Sequence, residues 1–223
     1  MQRFTWPDPP SQTAYPIARP GWPLIGAALF ATFVLALLGL KGPAVLMLVI
    51  SACICGFFRD PDRAVPTAEG CVVSPADGKI IFCEKVTDTD YYEGACLKVG
   101  IFMSVFNVHV NRMVHAGKIS DLAYHPGKFF SANRDKASRE NEHNVLFLDT
   151  PAGDRLVVVQ IAGLIARRII CGVRPGTDLD RGQRFGMICF GSRLDVYLPP
   201  GFRLKARVGQ KVRAGTSILG FLN

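Results

Sequence analysis

From Leu24 to Phe58 the chain is almost unbrokenly apolar, interrupted by Lys41-Gly42-Pro43, while residues 1–23 are polar and rich in proline. A helix that is apolar on nearly every face has no side to turn to water, so this stretch predicts two membrane-associated helices joined by a tight turn rather than part of a soluble core. Each arm of about 16 to 18 residues extends about 25 Å, slightly short of a hydrocarbon core of about 30 Å, so length leaves a spanning and a re-entrant hairpin both open. Pro43 suits the first turn of the second arm, and Trp22 suits an interface. Arg3, Arg19, Arg59 and Arg63 flank the outer ends, which places both on the cytoplasmic side of a cell membrane. The polar residues ahead of the apolar run argue against a signal peptide.

After Pro66 the pattern changes. Lys79-Ile80-Ile81-Phe82, Leu97-Lys98-Val99-Gly100-Ile101-Phe102, Val145-Leu146-Phe147-Leu148 and Leu156-Val157-Val158-Val159-Gln160-Ile161 are short, rich in β-branched and aromatic residues, and separated by Asp-Gly, Pro-Gly and Ala-Gly breakers. This predicts a mainly β (α+β) domain. The tail, from Val208 to Gly220, has the Gly-spaced hairpin rhythm of barrel-sandwich domains. Three segments follow: a polar leader (1–23), an apolar hairpin (24–58) and one β-rich domain (59–223), the last long enough to bury its own core.

Seven cysteines, an odd number without any Cys-x-x-Cys spacing, argue against a disulfide framework or a zinc site and for a reducing compartment, the cytosol. The formal charge of +8 includes Arg167, Arg168, Arg174, Arg181, Arg184 and Arg193 in the second half of the chain. Beside an apolar hairpin, attraction to anionic lipid accounts for that charge without nucleic acid, and a solvated face is expected for each arginine. The chain has no Gly-x-Ser-x-Gly elbow, no phosphate-binding Gly-Lys-Ser/Thr loop and no metal-ligating histidine cluster.

The chemistry concentrates at Gly191-Ser192. The pair lies between an apolar run, Ile188-Cys189-Phe190, and the alternating Leu194, Val196 and Leu198, so a kink of small residues interrupts a sheet pattern. A serine hydroxyl that attacks the preceding carbonyl must approach its own backbone, and a glycine there permits unusual dihedrals and close contact. The amide would become an ester. Elimination at residue 192 would then break the chain and leave dehydroalanine, which hydrolyses to an N-terminal pyruvoyl group. Such a ketone forms a Schiff base with an amine and accepts the electrons released when carbon dioxide departs.

The stretch from Arg184 to Pro199 closely resembles the processing site of the phosphatidylserine decarboxylases in their short prokaryotic form. Further segments agree in the same order: Phe58-Arg59-Asp60-Pro61, Ser74-Pro75-Ala76-Asp77-Gly78-Lys79, the run Phe102 to Arg112, Asp135-Lys136-Ala137-Ser138 with Asn141-Glu142, and Gln160-Ile161-Ala162-Gly163. The resemblance implies cleavage into residues 1–191 and 192–223, a heterodimer of the two chains with any higher assembly left open, a covalent pyruvate cofactor made from Ser192, and phosphatidylserine in the membrane as substrate. It also implies that Asp77, otherwise a turn residue, is the acid that orients a base for Ser192, and that His109 is a functional histidine. Larger bacterial relatives carry a second histidine three residues later, associated with self-cleavage, where this chain has Arg112. His109 is then asked to serve both processing and decarboxylation. Strand alternation would put Asn107, His109 and Asn111 on one face, whereas His115, His125 and His143 read as surface residues. Two alternatives stand beside this: a pyruvoyl decarboxylase of another amine, and a biotin or lipoyl carrier with Lys136 as the modified residue.

Overall fold

The computed structural model describes residues 16–130, 140–163, 168–189 and 191–223. The described chain divides into two compact units, one ending at Asp62 and the other running from Arg63 to Asn223.

The first unit is the expected helical hairpin. A 3-10 turn, Arg19–Gly21, leads into α1 (Trp22–Leu37), with proline in the first helical turn, where the missing N–H leaves no bond unmade. The helix α2 spans Lys41–Phe57. The reversal falls at Leu38-Gly39-Leu40, with Gly39 at φ +73°, so Lys41-Gly42-Pro43 forms the first turn of α2 rather than the turn itself. Polar groups within the hairpin find partners at home. Thr32 and Ser51 hydroxyls each donate to a carbonyl one turn back, Ala28 and Met47, at 2.8 Å, and lie 3.4 Å from each other across the two helices. The open end is fastened, because Ala18 N–H donates to Phe58 O at 2.7 Å, Asp60 N–H donates to Pro16 O at 2.7 Å, and Ile17 bridges Arg59. The chain therefore enters and leaves the hairpin at one place. Phe30, Phe33, Leu37, Leu46 and Val49 are exposed, and Arg19–Leu37 is long and apolar enough to cross a membrane.

The second unit is built of strands: β1 (Cys71–Val73), β2 (Gly78–Thr89), β3 (Tyr92–Met103), β4 (Val110–Arg112), β5 (Gly117–His125), β6 (His143–Asp149), β7 (Arg155–Ala162), β8 (Arg168–Cys171), β9 (Asp178–Leu179), β10 (Arg184–Cys189), β11 (Ser192–Leu198), β12 (Arg203–Leu204), β13 (Lys211–Val212) and β14 (Ile218–Phe221). Among the described residues they form an eight-stranded sheet in the order β13-β2-β3-β11-β7-β6-β5-β9, and two three-stranded sheets, β4-β10-β8 and β1-β14-β12. The large sheet curls into half a barrel. All four predicted strand runs lie in it. Its inner face packs Val99, Ile101, Met103, Leu146, Leu148, Val158, Ala162, Leu194 and Val196 into the main core. Its other face buries Cys96, Val145, Val157, Val159, Ile161 and Tyr197 in a second cluster. Burial on both faces is why β7 reads as a continuous apolar run instead of an alternating one.

The tail departs from the expected hairpin. The strand β13 pairs with β2, and β14 lies between β1 and β12, so the turn from Arg213 to Ser217 carries the chain from one sheet to another.

Candidate active site

Ser192 opens β11, in the middle of the large sheet, with Met103 of β3 and Ala162 of β7 as its cross-strand neighbours. The period of two along a strand turns it to the inner face with Leu194 and Val196, and it is fully buried. Gly191 before it has φ +67°, the left-handed region, yet among the described residues, its chain neighbours aside, no atom lies within 4 Å of where a Cβ would stand. Glycine is required there for its backbone and not for lack of room.

His109 reaches the same place from the segment before β4. Residues Ser104 to Asn107 form a tight turn in which Asn107 Oδ1 accepts from Ser104 N–H at 2.9 Å and from the Ser104 hydroxyl at 2.8 Å. The Nδ1–H of His109 donates to Asn107 O at 2.8 Å, which leaves Nε2 as the acceptor nitrogen; Gly191 N–H points at it from 3.5 Å. The expected alternation from Asn107 to Asn111 is not realised. Asn107 belongs to the turn and Val108 and His109 precede β4, which starts at Val110; Val108, His109, Val110 and Asn111 are all buried.

The structure brings His109 to Gly191 but gives the serine hydroxyl another partner. Ser192 Oγ–H donates to Met103 Sδ at 3.4 Å, a weak acceptor, and among the described residues it makes no hydrogen bond to His109. Asp77 is also engaged elsewhere. Its Oδ2 accepts from Arg63 Nη2 at 2.8 Å and its Oδ1 from Ala214 N–H at 2.8 Å, so the carboxylate braces the 213–217 turn. Arg112 is buried; its N–H donates to Pro75 O at 2.9 Å and its guanidinium to Gly182 O at 3.1 Å, tying β4 to the loop that carries Asp77.

Beneath Ser192 lies a line of buried amides that sequence reading did not single out. Asn144 Nδ2 donates to Gln160 Oε1 at 3.0 Å, Gln160 Nε2 donates to Asn111 Oδ1 at 2.8 Å, and Asn111 Nδ2 reaches Met103 Sδ at 3.9 Å. Gly186 makes room for it, since a Cβ there would stand 2.9 Å from Gln160 Nε2 and 2.3 Å from Ile170 O. Asn141 adds a second tie. Its amide donates to Phe130 O and to Ala162 O, both at 2.7 Å, the latter beside Ser192. The available signal was a lone glutamine inside Leu156-Val157-Val158-Val159-Gln160-Ile161, because a polar side chain in a doubly buried strand needs a partner.

Three other expectations are corrected. His143 is buried, donating from Nδ1 to Asn141 O at 2.7 Å, accepting at Nε2 from Tyr91 OH at 2.7 Å, and stacking on His125 at 4.6 Å. Burial holds its pKa below the ordinary histidine value, against the opposing Asn141 carbonyl. Arg184 and Arg193 are not solvated either. Arg193 is fully buried on the face opposite Ser192, its Nε 2.8 Å from Asp195 Oδ1 and its guanidinium 5.3 Å from the Phe82 ring centre, with Lys98 3.4 Å from the same carboxylate. The unpaired charge either arginine or aspartate would leave in that apolar layer explains the pairing. Cys189, two residues before Gly191, has its thiol pushed up to about 11 by burial, with Arg168 acting in the opposite sense, so it is a poor nucleophile at neutral pH. Lys136, Arg167 and the segment Asp135-Lys136-Ala137-Ser138 lie outside the described residues. Among the described residues no three His, Cys, Asp or Glu side chains are grouped to hold a metal ion.

A family model described as phosphatidylserine decarboxylase matches residues 50–220. The phosphatidylserine decarboxylase proenzyme of Desulfotalea psychrophila is 47% identical over 209 residues, covering 94% of this chain and 98% of the relative. That of Geobacter sp. strain M21 is 50% identical over 216 residues, again 94% and 98% of the two chains, and that of Citrifermentans bemidjiense agrees to the same extent, 50% over 216 residues. With a left-handed glycine ahead of a buried serine at the position where the family resemblance put the processing site, and with likeness along nearly the whole length, the chain belongs to the phosphatidylserine decarboxylase family.

Proposed function

We propose that this chain is the precursor of a membrane-bound phosphatidylserine decarboxylase that cuts itself between Gly191 and Ser192. The observation that carries the reading is the conjunction of Gly191 at φ +67°, a buried Ser192 next to it, and the unprotonated Nε2 of His109 facing Gly191 N–H at 3.5 Å.

The chain's own groups suffice for the cut. Rotation about χ1 takes Ser192 Oγ off Met103 Sδ and toward the Gly191 carbonyl carbon. As Oγ attacks, its proton passes to His109 Nε2, the carbon–nitrogen bond breaks, and the histidine returns the proton to the departing nitrogen. An ester now joins the two parts. Loss of the Cα proton of residue 192 expels the Gly191 carboxylate, and water replaces the nitrogen of the resulting enamine, releasing ammonia and leaving residues 1–191 and 192–223. Burial of Ser192 keeps stray water off the serine side of the ester until elimination.

A pyruvoyl group at residue 192 supplies a ketone that takes up the amine of phosphatidylserine and the electrons freed with carbon dioxide, giving phosphatidylethanolamine. The residues present fit it. Position 192 starts a strand whose sheet partners hold it in place, and His109 can give or take a proton beside it. The fastened helical hairpin suits a tether in the cell membrane with the catalytic unit on the cytoplasmic face, where a diacyl lipid presents its headgroup at high local concentration.

Intact-mass measurement of the purified protein tests the cut, with two chains expected, the smaller starting at residue 192 with a blocked N-terminus. Ser192→Ala removes the attacking oxygen and is expected to give one full-length, inactive polypeptide. Normal release of carbon dioxide from phosphatidylserine by that uncut variant would overturn the reading.

A further inference from the structure

The amide line under Ser192 ends in a surplus donor. Gln160 Nε2 occupies Asn111 Oδ1 at 2.8 Å, and Asn144 Nδ2 occupies Gln160 Oε1 at 3.0 Å, so the direction of each amide is fixed by the one before it. Asn111 must therefore present its NH₂ forward. There it has Met103 Sδ at 3.9 Å, while Ser192 Oγ–H uses the same sulfur at 3.4 Å. Two donors converge on one thioether, an acceptor too weak to satisfy either, and Asn111, Ser192 and Met103 are all fully buried. A buried N–H left with so little to bind, sharing its one sulfur with a hydroxyl about to lose its proton, is poised for charge that does not yet exist.

We propose that Asn111, aimed by Gln160, is a further catalytic residue of self-cleavage: its Nδ2–H donates to Ser192 Oγ as that oxygen becomes an alkoxide. The inference rests on the self-cleavage reading above and adds the group that stabilises the nucleophile. In the resting precursor both donors share the sulfur. When the Ser192 proton passes to His109 Nε2, the oxygen turns from donor to acceptor, and the amide gains a charge-assisted partner while the thioether loses only a weak one. The oxygen attacks the Gly191 carbonyl carbon as it sheds that proton. Gly186 belongs to this device, since any side chain there would displace Gln160 Nε2 and release the direction of the line.

The test reverses the polarity of the line with little change of shape. Gln160→Glu keeps the acceptor for Asn144 but loses the donor to Asn111, whose amide then flips and shows Ser192 an oxygen; Asn111→Asp does the same directly. Processing is followed by cell-free synthesis and gel electrophoresis, with wild type as reference. Both variants are expected to slow cleavage by about 10²- to 10³-fold while keeping a cooperative melting transition. The precursor that accumulates is expected to resist hydroxylamine, because the ester has not formed. Wild-type cleavage rates in either folded variant overturn the proposal, and so does a precursor that hydroxylamine cuts, which would place the block after ester formation. If one variant does not fold the other decides, and loss of folding in both assigns the line to stability alone and overturns the catalytic role. A wild-type chain that never cleaves would instead overturn the self-cleavage reading itself.

Discussion

His109 Nε2 faces Gly191 N–H at 3.5 Å while its Nδ1–H donates to a backbone carbonyl, that of Asn107, at 2.8 Å. A carbonyl fixes the tautomer as well as an acid does, but it lends less stabilisation to the imidazolium that forms on taking a proton. In this chain Asp77 braces the 213–217 turn through Ala214 and pairs with Arg63.

His109→Ala is expected to accumulate full-length precursor, with cleavage slowed by about 10²- to 10⁴-fold. Asp77→Ala is also expected to accumulate precursor, but together with a lower melting temperature, because a partly buried ion pair and a backbone cap are lost at once. Arg63→Ala separates the two effects. If it lowers stability as Asp77→Ala does yet cleaves at the wild-type rate, Asp77 has a role in the chemistry beyond bracing. Gels and melting curves on the same samples give the answer, and full cleavage in His109→Ala would remove that residue from the site.

Gly191→Ala adds a methyl group to open space at φ +67°. The left-handed region costs an alanine roughly 1–2 kcal/mol, so cleavage is expected to slow by about tenfold as the backbone relaxes toward ordinary dihedrals. An unchanged rate would show that the left-handed glycine is dispensable for the attack.

The buried His143 ties stability to pH. Its folded pKa is lowered by burial, so between that value and the unfolded value of about 6.5 the unfolded chain binds more protons, and stability falls as pH drops through this window. Thermal melting of wild type and His143→Gln at pH 7.5 and 5.5 isolates the effect. The wild type is expected to lose more of its melting temperature between the two pH values. Equal losses would mean that His143 does not titrate on unfolding.

Removing residues 1–62, which ends the cut where the helical unit ends and spares Arg63, is expected to release the remaining unit from membranes and slow turnover of phosphatidylserine in bilayers. Self-cleavage should persist, being internal to the strands, and dispersed short-chain substrate should lose less activity than bilayer substrate. Equal activity on both would show that the hairpin has no part in substrate access.

Much of this was legible in the sequence because its causes are local. The hairpin follows from unrelieved apolarity, the sheet from runs such as Leu156 to Ile161, and Gly191-Ser192 from a break in strand pattern. What escaped were long-range pairings. Nothing near Gln160 in sequence announces Asn111, 49 residues away, and nothing beside Asp77 announces Ala214, 137 residues on. Charge likewise misled at Arg193, since its partner Asp195 lies on the same strand face and only the fold shows that the face is covered. The Gly-spaced tail suggested a hairpin, yet turn chemistry specifies a reversal without specifying which sheet receives each strand.

A cut before β11 would separate the polypeptide without separating the protein. Residues 192–223 supply β11 to the centre of the large sheet, β13 to its edge, and β12 and β14 to a smaller sheet, so the short fragment is woven through the architecture. Before the cut, refolding is a unimolecular search. Afterwards two molecules must find each other and rebuild a central strand, a concentration-dependent event in which the exposed edges of β3 and β7 invite aggregation first. Maturation would thus turn a reversible folder into a kinetically trapped one, with a lifetime set by its unfolding barrier and no practical road back.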